Sequence, residues 1–178
     1  MNLIEVVNQT RTEVDQAAVA RLVAAVLEAE GVRGAEVAVE LVGEGRIRSL
    51  NREHRGKDEV TDVLSFPLED WPEGGAAAGD GAAASPAPDL GEIAEAVAAG
   101  TAGPPLMLGD IVICARRALR QARADDLPPS LELAVLLAHG ALHLLGYDHE
   151  TDAGQMALRQ AEVLELVHWE ALVVTAPR

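Results

Sequence analysis

A chain of 178 residues, 49% of them hydrophobic, is long enough to bury one core and too apolar for wholesale disorder. Its single cysteine, Cys114, excludes an intramolecular disulfide framework and suits a reducing cytosol, and the lack of any run of about 18 apolar residues excludes a transmembrane helix. A net charge of −15 excludes a protein that coats nucleic acid indiscriminately.

The opening MNLIEVVNQT has no basic n-region and no long apolar h-region, so no secretory signal is expected and a cytoplasmic location is. LIEVVN, Leu3 to Asn8, reads as a short strand. Asp15 is placed to cap a helix running to about Glu30, with Ala18, Leu22, Val26 and Ala29 at helical spacing and Gly31 as its stop. AEVAVELV, Ala35 to Val42, alternates Glu36, Ala38 and Glu40 against Val37, Val39 and Leu41, the pattern of a half-buried strand. Glu44 to about Glu53 reads as a short basic helix, and TDVLSFP, Thr61 to Pro67, as a strand that stops at its proline.

From Glu69 to Met107 there are seven acidic residues and no Lys or Arg. The run from Trp71 to about Leu90 is Gly, Ala and Pro with few large apolar groups. It cannot offset its ordering entropy and is expected as a flexible loop, followed by a short helix from Ile93 to Ala99. GDIVIC, Gly109 to Cys114, is β-branched and apolar, hence a buried strand, and Ala115 to Ala124 continues as a helix. Ser130 is a suitable N-cap for the next helix, LELAVLLAHGALHLL, whose apolar surface all round belongs at the centre of a domain. Gly146 ends it, and Thr151 or Asp152 caps a last helix to about Val173. The order β-α-β-α-β, insertion, β-α-α-α predicts one small α+β domain over residues 1–178. It has a mixed sheet, a central buried helix and a flexible acidic insertion at about 71–105.

Three of the five histidines fall within HGALHLLGYDH, His139 to His149. His139 and His143, four apart on a helix, share a face with Cβ atoms ~5–6 Å apart. Gly146 turns the chain back, so His149 can supply a third nitrogen from outside the helix. Three ligands leave a fourth tetrahedral position open, as in a catalytic rather than a structural zinc site. Zinc suits this set; nickel, copper and cobalt also accept nitrogen donors. The spacing matches the metzincin motif H-E-x-x-H-x-x-G-x-x-H, but Gly140 stands where such a protease keeps its glutamate base. A glycine there costs the helix about 1 kcal/mol relative to alanine, which suggests that something packs close to the backbone, a helix–sheet contact being the plain explanation. Asp148 either secures the turn at Gly146, the favoured role, or assists a histidine. His54 and His168 have no such partners in sequence, and an ordinary surface or packing role is expected for His168.

Nine of the 14 basic residues form two clusters: Arg46, Arg48, Arg52, Arg55 and Lys57, then Arg116, Arg117, Arg120 and Arg123. The second reads as a solvated helix face. In the first, Arg55-Gly56-Lys57 sets two cations around a glycine in a loop, an arrangement that can approach a phosphate closely. A surface ion pair of Arg55 with Glu53 or Asp58 is the competing explanation.

LNREHRGKDEVTDVLSFP, then LGDIVIC, then HGALHLLGYDH, in that order, resemble the YbeY family of bacterial endoribonucleases, the rRNA maturation factors. The resemblance covers the chain apart from the insertion, Trp71 to Pro105. It implies an α+β domain with a mixed sheet of about four strands and a central helix bearing two metal histidines. It implies His139, His143 and His149 as metal ligands, and Arg55 with His139 as the catalytic residues. The implied activity is metal-dependent cleavage of single-stranded RNA, in maturation of the 3′ end of 16S rRNA and in ribosome quality control. The implied partners are the small ribosomal subunit and assembly factors, with neither membrane nor DNA. An acidic body fits docking through a basic ribosomal protein better than tight binding of free RNA. Four aromatics, Phe66, Trp71, Tyr147 and Trp169, make no stacking platform, so RNA recognition should rest on the backbone and weaken with salt. Two other readings stand beside it: a metallopeptidase of metzincin geometry, disfavoured by Gly140, and a non-catalytic ribosome assembly protein whose metal only staples the fold.

Overall fold

Alternation along AEVAVELV puts Val37, Val39 and Leu41 on a buried face and leaves Glu36, Ala38 and Glu40 partly exposed, so this segment can carry a helix layer on one side. The computed structural model, which describes residues 1–68 and 106–175, places it as an inner strand. The elements are β1 (Leu3–Asn8), β2 (Glu13–Val14), α1 (Gln16–Ala29), β3 (Ala35–Val42), α2 (Glu44–Arg55) and β4 (Val63–Pro67). Then follow β5 (Leu106–Cys114), α3 (Ala115–Ala124), α4 (Pro129–Leu144), α5 (Gln155–Leu166), a 3-10 turn (Trp169–Ala171) and β6 (Val174–Thr175). The main sheet has the order β1-β3-β5-β4, with β1, β3 and β5 parallel and β4 antiparallel to β5. This is the mixed four-stranded sheet of the expected α+β class.

Successive residues of β5 serve opposite layers. Ile111 and Ile113 join the core made with α1 and α4, whereas Val112 and Cys114 pack with Ile47 and Leu50 of α2 and Leu64 of β4. Helix α4 is buried on several faces, through Leu133, Leu137, Ala141, Leu142 and Leu144, and packs against α1, α3, α5, β4 and β5. Each such leucine contributes about 1.5–3 kcal/mol, so the helix that presents the histidines is firmly anchored. No helix among the described residues is long and apolar enough to cross a membrane.

The structure corrects several boundaries. Helix α4 begins at Pro129, with Pro128 in the N-cap position and Ser130 already inside the first turn. Proline suits that position because the first helical N–H has no intrahelical partner to lose. Helix α2 runs on to Arg55 and is closed by Gly56 at φ 68°, so Arg55 sits on the helix end and not in a loop. Helix α5 begins at Gln155 and stops at Leu166 because Val167 is extended, which frees Val174–Thr175 to pair antiparallel with Glu13–Val14. The N-cap of α5 is Gly154 and neither Thr151 nor Asp152; Asp152, two residues ahead of it, accepts on its carboxylate from the N–H of Gly154 and of Met156, both at 2.7 Å. The expected loop from Trp71 to about Leu90 and the helix from Ile93 to Ala99 lie outside the described residues.

Candidate metal centre

The last two turns of α4 carry His139 and His143, and the way the helix ends brings in the third histidine. Gly146, at φ 87°, donates its N–H to the His143 carbonyl at 3.0 Å, and the Tyr147 N–H reaches the Leu142 carbonyl at 3.1 Å. This pair of bonds is a Schellman closure, and it reverses the chain within three residues of His149. The nitrogen donors of His139, His143 and His149 lie within 4.8 Å of one another, with ring centroids 4.6, 5.1 and 5.1 Å apart. The Nε2 atoms of His139 and His143 are 3.1 Å apart. Two nitrogens on a tetrahedral zinc, each ~2.0–2.1 Å from the ion, are about 3.3 Å apart, so the pair fits one ion. Burial pushes both imidazoles below the ordinary histidine range, His143 to about 4 with help from the charge of His139 and His149. Neutral imidazole is the ligating form. The group can therefore hold a metal ion and leave its outer side open.

Polar contacts hold the elements that carry the rings, one of them directly on a ring. His139 Nδ1 lies 3.0 Å from Gln160 Oε1 on α5. Glu30, at the end of α1, accepts from the Tyr147 hydroxyl on one oxygen (2.9 Å) and from Arg159 Nε on the other (2.6 Å). Arg159 also donates to the Ala29 carbonyl at 3.0 Å. Burial, then Glu30, pushes the Tyr147 hydroxyl up to about 12. Asp148 does not secure the turn at Gly146, which closes through backbone bonds alone; it holds the next turn instead. Its carboxylate accepts from the Glu150 N–H and from the Thr151 hydroxyl, both at 3.0 Å, and the Glu150 amide leads in holding it below the usual carboxylate range. Gly140 meets the sheet: a Cβ there would lie 2.6 Å from Ile111 Cγ2 and 3.3 Å from Ser65 Oγ.

Arg55 and Lys57 line one cleft of about 430 Å³ with Ser65, His143, Asp148 and His149. Among the described residues Arg55 forms no ion pair. Asp58 is taken by Arg48 at 2.9 Å and by Arg52 at 3.8 Å, so the competing ion-pair explanation is not realised. The second basic cluster is the solvated face of α3, with Arg120 paired to Glu44. His54 sets its ring edge against Phe66, centroids 4.8 Å apart, and His168 is exposed ahead of the 3-10 turn. Gln160, Glu30 and Ser65 carry no sequence signal, because each is a common polar residue brought to His139, to Tyr147 and to the Gly140 carbonyl, respectively, only by tertiary packing.

A family model described as endoribonuclease YbeY matches residues 5–168. A protein of an Anaeromyxobacter species named endoribonuclease YbeY is 43% identical over 157 residues, covering 87% of this chain and 65% of that protein. This chain thus spans slightly less than two thirds of that relative. A protein of the same name from Macrococcus caseolyticus is 40% identical over 147 residues, 81% of this chain and 80% of that one. A solution structure of a Thermotoga maritima protein, 24% identical, shares the fold with a TM-score of 0.55 over 92% of this chain and 87% of its own.

Proposed function

The chain belongs to the YbeY endoribonuclease family, and on that premise we propose that it is a metal-dependent endoribonuclease cutting single-stranded RNA. The observation that carries this reading is one cleft lined by two of the clustered histidines and by the cations Arg55 and Lys57. His139, His143 and His149 are the ligands of one divalent ion, zinc matching three imidazoles best. When bound, the ion supplies Lewis-acid activation of the phosphodiester and of water.

The chain's own groups do the rest. Arg55 offers a planar fork of N–H donors to two phosphate oxygens and stabilises charge that builds up as the bond breaks. Lys57, just beyond Gly56, steadies the same or a neighbouring phosphate. His139 takes part in catalysis as a ligand. Asp148 has both carboxylate oxygens engaged in the turn, which makes it a poor proton acceptor. The proposed setting is maturation of the 3′ end of 16S rRNA and ribosome quality control in the cytoplasm, with the small ribosomal subunit and assembly factors as partners. A net charge of −15 favours delivery of RNA by such a partner.

The test is cleavage of single-stranded RNA by metal-loaded protein, wild type against Arg55→Ala. The variant should lose about 100-fold in rate while keeping its metal content and melting temperature. Intact RNA beside a cleaved peptide library would favour a metallopeptidase instead. A His143→Ala protein that cannot fold, with no cleavage by any folded form, would favour a metal that only staples the structure.

A further inference from the structure

We infer that Gln160 is a positioning residue for the metal centre: its amide oxygen fixes the ring tautomer and orientation of His139. This rests on the metal-binding reading above and adds a residue outside the ligand set and outside the cleft.

A neutral imidazole carries one N–H, and which nitrogen holds it is decided by the hydrogen bond at the other. Gln160 Oε1 lies 3.0 Å from His139 Nδ1, and an amide oxygen only accepts. The proton therefore sits on Nδ1, and Nε2 presents its lone pair 3.1 Å from Nε2 of His143, inside the donor cluster. The reversed amide would send the proton to Nε2, into the space the three nitrogens enclose. Ligating histidines commonly give their other N–H to an acceptor in this way.

The position of Gln160 is itself held. Its neighbour Arg159 is tied to the end of α1 through Glu30 Oε1 at 2.6 Å and the Ala29 carbonyl at 3.0 Å, so α5 cannot roll about its axis without breaking both. The other oxygen of Glu30 holds Tyr147, two residues ahead of His149. One carboxylate thus registers both the acceptor behind His139 and the turn that carries His149.

The experiment uses the full chain in Gln160→Ala, Gln160→Met and Gln160→Glu forms. Zinc affinity is read by chelator competition, and the His139 tautomer by 15N shifts of the metal-free protein. Wild type should show the Nδ1–H form. Gln160→Met keeps the side-chain length but exchanges the amide oxygen for a thioether, at most a weak acceptor, so it controls for packing if the alanine variant melts early. Both Gln160→Ala and Gln160→Met should mix tautomers and lose about 10–100-fold in zinc affinity, and Gln160→Glu, which restores an acceptor, should recover both. Wild-type affinity in Gln160→Met, or an Nε2–H tautomer in the metal-free wild type, overturns the inference. If wild type takes up no zinc, the metal reading itself falls, and the tautomer still decides the role of Gln160.

Discussion

Gly140 and Ile111 are in contact so close that no side chain fits between them: a Cβ on Gly140 would stand 2.6 Å from Ile111 Cγ2. The methyl belongs to a fully buried, β-branched residue in an inner strand and has no room to swing aside. Gly140→Ala should therefore destabilise, with overpacking of about 1–3 kcal/mol exceeding the roughly 1 kcal/mol gained in helix propensity. Gly140→Glu, which restores the metzincin residue, should cost more and give no peptidase. In urea unfolding, Ile111→Ala combined with Gly140→Ala should cost less than the two single losses together, because the second change empties the space the first invades.

Metal should couple to stability. Zinc at about 1,000 times its dissociation constant should raise unfolding free energy by about 4 kcal/mol, and a chelator should reverse it. His143→Ala should abolish the shift in melting temperature. A shift that persists in that variant would place the ion elsewhere.

Salt should reveal how few phosphates the cleft grips. Arg55 and Lys57 are its cations, and single strands give a slope of about −0.7 in log affinity against log salt for each phosphate contacted. Binding of free RNA, followed by fluorescence anisotropy, should give a slope near about −1.4. Lys57→Ala should halve it. A much steeper slope would mean that the face of α3 also binds RNA.

The carboxylate of Glu30 is nearly inaccessible, with 5% of its side chain exposed, and serves two donors. Removing it leaves the Tyr147 hydroxyl without its acceptor, while Arg159 keeps Glu162 at 2.7 Å and the Ala29 carbonyl at 3.0 Å. Glu30→Ala should cost about 1–3 kcal/mol, the range for a part-buried donor that loses its acceptor, and Tyr147→Phe about 1 kcal/mol. Chemical denaturation of the metal-free protein separates this loss from any change in metal binding.

Glu132 on α4 has its carboxyl pushed up, first by burial and then by Asp62 and Asp125. The folded protein therefore holds this proton more tightly than the unfolded chain. Stability is then highest below the ordinary glutamate value, falls as pH rises toward the raised value, and levels off above it. Glu132→Gln should be more stable than wild type at neutral pH and should flatten this part of the profile. An unchanged profile in melting temperature against pH would count against it.

Strong periodicity made most of the fold legible: β1, α1, β3 and α3 lie where the pattern of apolar residues puts them. The two-residue strands β2 and β6 could not be read, since alternation needs more than two positions to show. The expected last helix to about Val173 ends at Leu166 instead, because the backbone at Val167 is extended, a local feature without a Gly or Pro to mark it. In the candidate site the three histidines were readable because their spacing is local in sequence. Gln160 and Glu30 were not, since they reach His139 and Tyr147 from other helices. Gly140 was legible as a close approach, but only the structure supplies Ile111 as the neighbour.

The Schellman closure at Gly146 also divides the segment into parts of unequal tolerance to insertion. From His139 through the closure to His149 every residue is in register: the helix spaces the first two rings, and the closed turn leaves Tyr147 and Asp148 as the whole span to the third. One added residue there would carry the His149 ring out of reach. Beyond His149 the chain restarts from local bonds, the Asp148 carbonyl and the Asp152 carboxylate, while α5 is pinned independently at Arg159. Length variation should therefore accumulate between Glu150 and Gly154, where it changes the path of the chain and leaves the donor set alone.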